Sequence, residues 1–344
     1  MEILKGTALL LLVLGLFSLF SFKAPKGMKA MGALANAAVA AFLVEAFQRY
    51  VGGDLFKIEF LGEVGDAAGS MGGVAAASLV ALALGVSPVY ALLLGVSCAG
   101  LGLLPGFFAG YLVAFLVKVI EKKVPAGLDL IVTILIAAPL VRFIGEQLTP
   151  LVNATLLNIG GIIKETANSN PILMGIILGG VITVVATAPL SSMALTAMLG
   201  LTGLPMAIGA LAVFGSSFMN FVLFDRLKFG DRSTTIAVAI EPLTQADIIS
   251  ANPIPVYSTN FIGGAAAGVV VAMFGLVNNA TGTATPIAGL AVMYGFNDPI
   301  KVTITAGICA VVGATVGFLG SIVFKNYKIR TVSEIRMKEE QKAA

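Results

Sequence analysis

Residues 166–224 read TANSNPILMGIILGGVITVVATAPLSSMALTAMLGLTGLPMAIGALAVFGSSFMNFVLF, 59 residues from Thr166 to Phe224 without an Asp, Glu, Lys or Arg. A helix needs about 20 apolar residues to cross the hydrocarbon core of a bilayer, so this run holds two crossings and a connection. Backbone polar groups in lipid must be satisfied within the protein, which leaves helices or a closed barrel. The polar/apolar alternation of barrel strands is missing. The run therefore predicts helices. Two more uncharged runs, Ala67–Val117 and Ile248–Asn297, span 51 and 50 residues and carry the same message.

Working outward, the whole chain agrees. Of 344 residues, 58% are hydrophobic and 11% charged, and the mean hydropathy is +1.00. Soluble domains carry roughly a quarter charged residues. The net charge of +3 comes largely from residues 325–344, with six basic and three acidic side chains. No clustered basic face with aromatics points to nucleic acid. The chain has no histidine, which removes the commonest general base, metal ligand and phosphoacceptor. Cys98 and Cys309 are far apart in apolar segments, without metal or disulfide spacing. Met1 to Phe22 reads as a retained first helix, because no small-x-small cleavage site follows its apolar core.

Hydropathy predicts an all-α, polytopic transmembrane protein of about ten spans, some broken or re-entrant. Helices are expected near Gly6–Phe22 and Ala30–Phe47, with two or three crossings in the first uncharged run. Leu130–Phe143 and Leu151–Ile163 read as separate short elements. Pro171–Ala188 and Leu195–Phe224 follow, then Ser233–Ile249, Phe261–Val277, Pro286–Gly295 and Thr303–Phe324. Residues 1–324 form the membrane domain and 325–344 a basic cytoplasmic tail. The clusters Lys23–Lys29, Lys118–Lys123 and Asp225–Arg232 belong on the cytoplasmic side with the tail, and the Asp54–Asp66 loop outside. Gly106-x-x-x-Gly110, Gly264-x-x-x-Gly268 and Gly313-x-x-x-Gly317 are spacings that let helix backbones approach closely.

Charges at membrane depth cost roughly 2.5–3.5 kcal/mol on insertion scales, so each is a functional candidate. Glu45 has Arg49 at i+4 and Arg142 has Glu146 at i+4; both read as helix-end ion pairs. Glu241 differs, lying in the apolar strip Ile236–Leu243 with no basic residue within eight positions. Pro242 lacks a backbone donor and favours an extended conformation at Glu241. A carboxylate at such a break suits several hydroxyl groups of a polar solute. Three polar breaks interrupt the apolar runs: Ala188-Pro189-Leu190-Ser191-Ser192, Asn252-Pro253-Ile254-Pro255 and Asn278–Thr283. Irregular backbone at this depth lines cavities or is buried in protein. The expected substrate-binding residues are thus Glu241, Pro242, Ser191, Ser192, Asn252 and Asn278. No catalytic residue, metal site or cofactor is expected.

These residues carry a resemblance. Gly106-Phe107-Phe108-Ala109-Gly110-Tyr111, the basic Lys118–Lys123 stretch and Ala138-Pro139-Leu140 resemble the first half of the fructose-like branch of phosphotransferase-system IIC membrane components. Residues 170–179, NPILMGIILG, are similar to the run before that branch's Gly-Pro-Val-Asn-Lys motif, whose place Ala188–Ser192 holds. Ile240-Glu241-Pro242, with Asn252-Pro253 downstream, resembles its Ile-Thr-Glu-Gly segment and following Asp-Pro. Ser191 and Ser192 replace the motif's Asn and Lys, and Ile240 its Thr. The likeness covers roughly Gly65 to Phe324 and extends to stand-alone IIC-like proteins of the perfringolysin-regulator type. It implies transport and scaffold parts, a sugar or related polar solute, separate IIA and IIB proteins, a homodimer and a bacterial plasma membrane. The enzymatic role is at most that of a sugar phosphotransferase's translocation subunit. The loss of the Asn-Lys pair keeps two other readings open: a membrane sensor or regulator that binds without transporting, and a secondary carrier not coupled to phosphorylation.

Overall fold

The computed structural model describes residues 2–188 and 191–335. Their regular structure is helical, with one isolated backbone bridge between Gly203 and Asn278. In chain order the helices are α1 (Glu2–Lys23), α2 (Gly27–Leu55), α3 (Glu59–Ser70), α4 (Gly72–Leu84), α5 (Pro88–Ser97), α6 (Leu103–Lys123) and α7 (Leu128–Ser169). Then come α8 (Pro171–Thr187), α9 (Ser192–Met198), α10 (Leu204–Leu227), α11 (Arg232–Ile240), α12 (Ala246–Ala251), α13 (Pro253–Phe274), α14 (Pro286–Met293) and α15 (Pro299–Val323). Proline opens many of them, and Gly85 and Gly275, both at positive φ, close α4 and α13. Proline's missing N–H costs nothing in a first turn, and glycine accepts the left-handed conformation at a helix end.

The protein is an all-α, multi-pass membrane protein. Among the described residues, six helices, α2, α6, α7, α10, α13 and α15, are long and apolar enough to cross a bilayer, and α3 with α4, bent by 54°, is a seventh if the bent pair is one broken span rather than a re-entrant loop. The sequence count of about ten is reached only by adding the three shorter apolar segments Thr7–Lys23, α5 and α8. Pro286–Gly295 forms only the eight-residue α14, too short to span. The two elements expected at Leu130–Phe143 and Leu151–Ile163 are one continuous helix of 42 residues. Pro139 and Pro150 do not break it, because π-helical turns at Thr133–Ala137 and Asn153–Leu157 sit beside them. Such local re-registration is how membrane helices absorb proline. The stretch expected as an external loop, Asp54–Asp66, is largely the helix α3.

The chain divides into two compact units. The first contains Ala8–Ile162 and Met193–Gly200. Its core is the crossing of α4 and α6, where Gly106 rests on Gly73 and Gly110 on Ala77. Phe20, Phe107, Phe108 and Tyr111 form an aromatic cluster in which Phe20 meets the other three rings edge-to-face and Phe107 stacks on Tyr111, and the Tyr111 hydroxyl donates to the Pro25 carbonyl at 2.8 Å. Lys26 and Lys118 both donate to the carbonyl of Leu84, at 2.8 and 3.0 Å. Contact with Lys118 pushes the Lys26 ammonium below its ordinary pKa. Two predicted basic segments therefore meet at one end of this unit. Arg142 pairs with Glu146 at 2.6 Å, as its spacing predicted. Arg49 instead pairs with Asp66 of α3 rather than with Glu45, whose carboxylate lies against Gly69. The fold of α3 back onto α2 supplies a closer acid than the helix's own turn.

The second unit comprises Met1–Thr7, Ile163–Ser192 and Leu201–Ala344. Its axis is α10, most of whose residues are buried, with α8, α13 and α15 around it. Gly264 and Gly268 lie against Gly179 and Gly175, and Gly313 and Gly317 against Gly215 and Met219. All three predicted glycine spacings thus sit at helix crossings. Asn220 and Asn260, both fully buried, exchange side-chain amide hydrogen bonds at 2.8 and 3.3 Å, tying α10 to α13. At one end of the unit, Phe224, Phe229, Ile248, Ile249 and Val256 form a buried cluster capped by Ile329, Val332 and Ile335.

Candidate functional site

The site is built in the second unit, at the end of α11. Asp231 caps that helix, accepting from the Thr234 amide at 2.8 Å and the Thr234 hydroxyl at 2.7 Å. The helix stops at Glu241, whose backbone is extended (φ −148°, ψ 98°). Pro242 is the physical cause: its ring excludes the helical conformation for the preceding residue. Pro242 itself is buried and opens a 3₁₀ turn through Gln245. Thr244 tightens that turn, donating to the Glu241 carbonyl from its amide at 3.1 Å and its hydroxyl at 2.8 Å. Glu241 is left half-buried at the break between two short helical pieces.

The carboxylate is met by a residue the polar-break reading stopped short of. Thr285 donates its hydroxyl to Glu241 Oε2 at 3.0 Å. Thr285 is the residue before α14, whose first helical position is Pro286. A threonine there ordinarily caps its own helix, but this side chain makes no such bond and turns to Glu241 instead. The start of α14 adds favourable positive potential near a carboxylate. The Thr-Pro pair at 285–286 was a visible cap signal in the sequence; what it bonds to was not.

Two other expected residues shape the loop that delivers Thr285. Asn278 is fully buried. Its side-chain oxygen accepts from the Ala280 amide at 2.9 Å and its amide donates to the Thr283 hydroxyl at 2.9 Å. Its backbone exchanges two hydrogen bonds with Gly203, at 2.7 and 3.0 Å. Ser192, also buried, donates to the Ala284 carbonyl at 2.6 Å, one residue before Thr285. Ser191 precedes it, buried and with φ near +60°. The intervening Pro189 and Leu190 of that break lie outside the described residues. Beside the bridge, Lys164 donates to the Thr202 hydroxyl at 3.1 Å.

Asn252 goes elsewhere. Its amide donates to the carbonyls of Ile248 and Arg330, both at 2.9 Å, and its oxygen accepts from the Arg330 amide at 2.8 Å. With Val332 donating to the Phe229 carbonyl at 2.9 Å, it fastens the segment after α15 to the unit. The structure thus gathers Glu241, Pro242, Ser192 and Asn278 around the 278–285 loop and gives Asn252 a role in holding the C-terminal segment.

Chemically, the arrangement is an acceptor site. A carboxylate offers about four lone-pair positions, and Thr285 takes one while fixing the group's orientation. Comparison with protein families matches the chain to the family described as phosphotransferase system, EIIC, over residues 28–337. No curated protein and no solved structure matches the chain.

Proposed function

The chain belongs to the EIIC family of the phosphotransferase system, and from that premise we propose that Glu241 binds the hydroxyl groups of a sugar or related polar solute on its way across the membrane. The protein is a membrane component of a phosphotransferase-system transporter. The observation that carries the substrate reading is the Glu241–Thr285 pair at the helix break after α11. A charged acceptor held by a neutral donor binds vicinal hydroxyls through charge-assisted hydrogen bonds, roughly twice as strong as neutral ones. Ser191 and Ser192, in place of a family Asn-Lys pair, make the site less charged than that motif's.

The 344 residues contain no histidine, so the phosphoryl group reaches the solute from IIA and IIB modules. The working form is a homodimer in a bacterial plasma membrane.

Reconstitution in liposomes tests this. Uptake of a candidate sugar, with the sugar recovered as its phosphate, should require phosphoenolpyruvate and the phosphoryl-carrying proteins. Robust accumulation driven by an ion gradient without those partners would overturn the coupling and make the protein a secondary carrier. Binding without any uptake would make it a sensor.

A further inference from the structure

At the end of the second unit, where α10 and α15 finish, lies a cavity of about 490 Å³. That is within the roughly 300–1,000 Å³ typical of small-ligand sites. Its walls carry three cationic side chains, Arg226, Lys228 and Lys325, together with Ser321, Tyr327 and Thr331. Lys228 lies 3.8 Å from Asp225, an exposed pair that offsets part of one charge. Among the described residues, Arg226 and Lys325 have no ion pair. The Arg226 guanidinium is pre-positioned: Nε donates to Ser321 Oγ at 2.8 Å, and the group sits 4.4 Å from the centre of the Phe318 ring. One donor of its fork is used, and a planar fork fixed in this way is suited to a phosphate.

The apolar surroundings narrow the ligand's class. Leu227, Ile322 and Ile329 also line the cavity. Down α15 from its mouth, Phe318 and Leu319 are exposed, and Val323, the last residue of α15, is 73% exposed between the lining residues Ile322 and Lys325. Arg226 and Ser321 belong to the final turns of membrane-crossing helices, so the cations stand at the level where hydrocarbon gives way to headgroups. Tyr327 is an aromatic of the kind enriched at that level. A free anion would use the cations and gain nothing from the apolar wall below them. A phospholipid uses both.

We propose that this cavity binds the headgroup of an anionic phospholipid, its phosphate on Arg226 and Lys325 and its acyl chains along the exposed face of α15. This rests on the second unit alone and is independent of the solute or its coupling.

The test uses the full chain purified in neutral detergent, with native mass spectrometry to count retained lipid after equal addition of phosphatidylglycerol or phosphatidylcholine. Phosphatidylglycerol should be retained, and phosphatidylcholine at about a tenth of that level or less. Arg226→Gln with Lys325→Gln should lower phosphatidylglycerol retention by about ten- to thirty-fold, the product of two cationic contacts at the membrane surface. Lys325→Gln alone changes an exposed side chain and should give a several-fold loss even if the Arg226 change disturbs packing on Phe318. Lys301→Gln, at the other end of α15, removes the same charge outside the cavity and should retain lipid like wild type. Equal retention by wild type and both cavity variants would overturn the assignment. So would an equal loss in the Lys301 control, indifference to headgroup charge, or displacement of the lipid by millimolar inorganic phosphate.

Discussion

Thr285 donates its hydroxyl to Glu241 Oε2 at 3.0 Å, joining two helix ends that lie 44 residues apart in the chain. The bond forms because α11 ends one residue before Glu241 and α14 begins one residue after Thr285. Thr285 makes no cap bond to its own helix, and its hydroxyl meets the Glu241 carboxylate at the end of the other.

If Glu241 holds the solute, Glu241→Gln should weaken binding by about ten- to a hundred-fold. Losing a charged hydrogen-bond partner in a buried site costs about 1.5–3 kcal/mol. Binding isotherms for the transported solute, on wild type and variant of the same monodisperse size, provide the measurement. An effect below about threefold is what a water-exposed charge would give, and it would remove Glu241 from the site.

Thr285 acts on the solute through Glu241, as a positioning residue. Thr285→Val should weaken binding several-fold, and Thr285→Ser, which keeps the donor, should restore most of it. In a Glu241→Gln background the Thr285→Val change should have little further effect. Full additivity of the two would show that the residues act separately.

Gly268 and Gly307 separate packing from composition. A Cβ on Gly268 would collide with the Gly175 carbonyl across the α8–α13 crossing, whereas one on Gly307 meets nothing within 4 Å. Gly268→Val should abolish a monodisperse folded species in size-exclusion chromatography. Gly307→Ala should leave it intact and unfold at the wild-type temperature. Equal tolerance at both positions would contradict the helix crossing.

The amide exchange between Asn220 and Asn260 should appear as a coupling energy. Interhelical hydrogen bonds in membrane proteins average about 0.6 kcal/mol and reach about 1.7. Single alanine substitutions and the double variant, unfolded in mixed detergent micelles, should give a coupling in that range. Strict additivity would mean that packing alone joins α10 to α13.

Orientation follows from lysine and arginine in short loops. Single cysteines at Lys122 and Lys328, with Cys98 and Cys309 replaced, should resist an impermeant thiol reagent in intact cells. Labelling of either from outside would place that end of its unit on the opposite face.

The sequence by itself determined the helical membrane class, the helix break before Pro242 and the carboxylate that stands at it. These are local properties: uncharged runs of 50 residues or more leave the backbone no partner but itself, and Pro242 acts on the residue it follows. The glycine spacings were also legible, because a bare backbone face is written in the residues that form it. Side-chain partnership was not. Arg49 bonds to Asp66 instead of Glu45 because α3 folds back on α2, and Asn252 bonds to Arg330 because the segment after α15 returns over Phe229. Glu241 received Thr285, and Ser192 received Ala284, through a loop whose course is set by buried Asn278 and its bridge to Gly203. Each of these bonds has directional geometry and a short reach, so only the packed helices could decide which distant donor arrived.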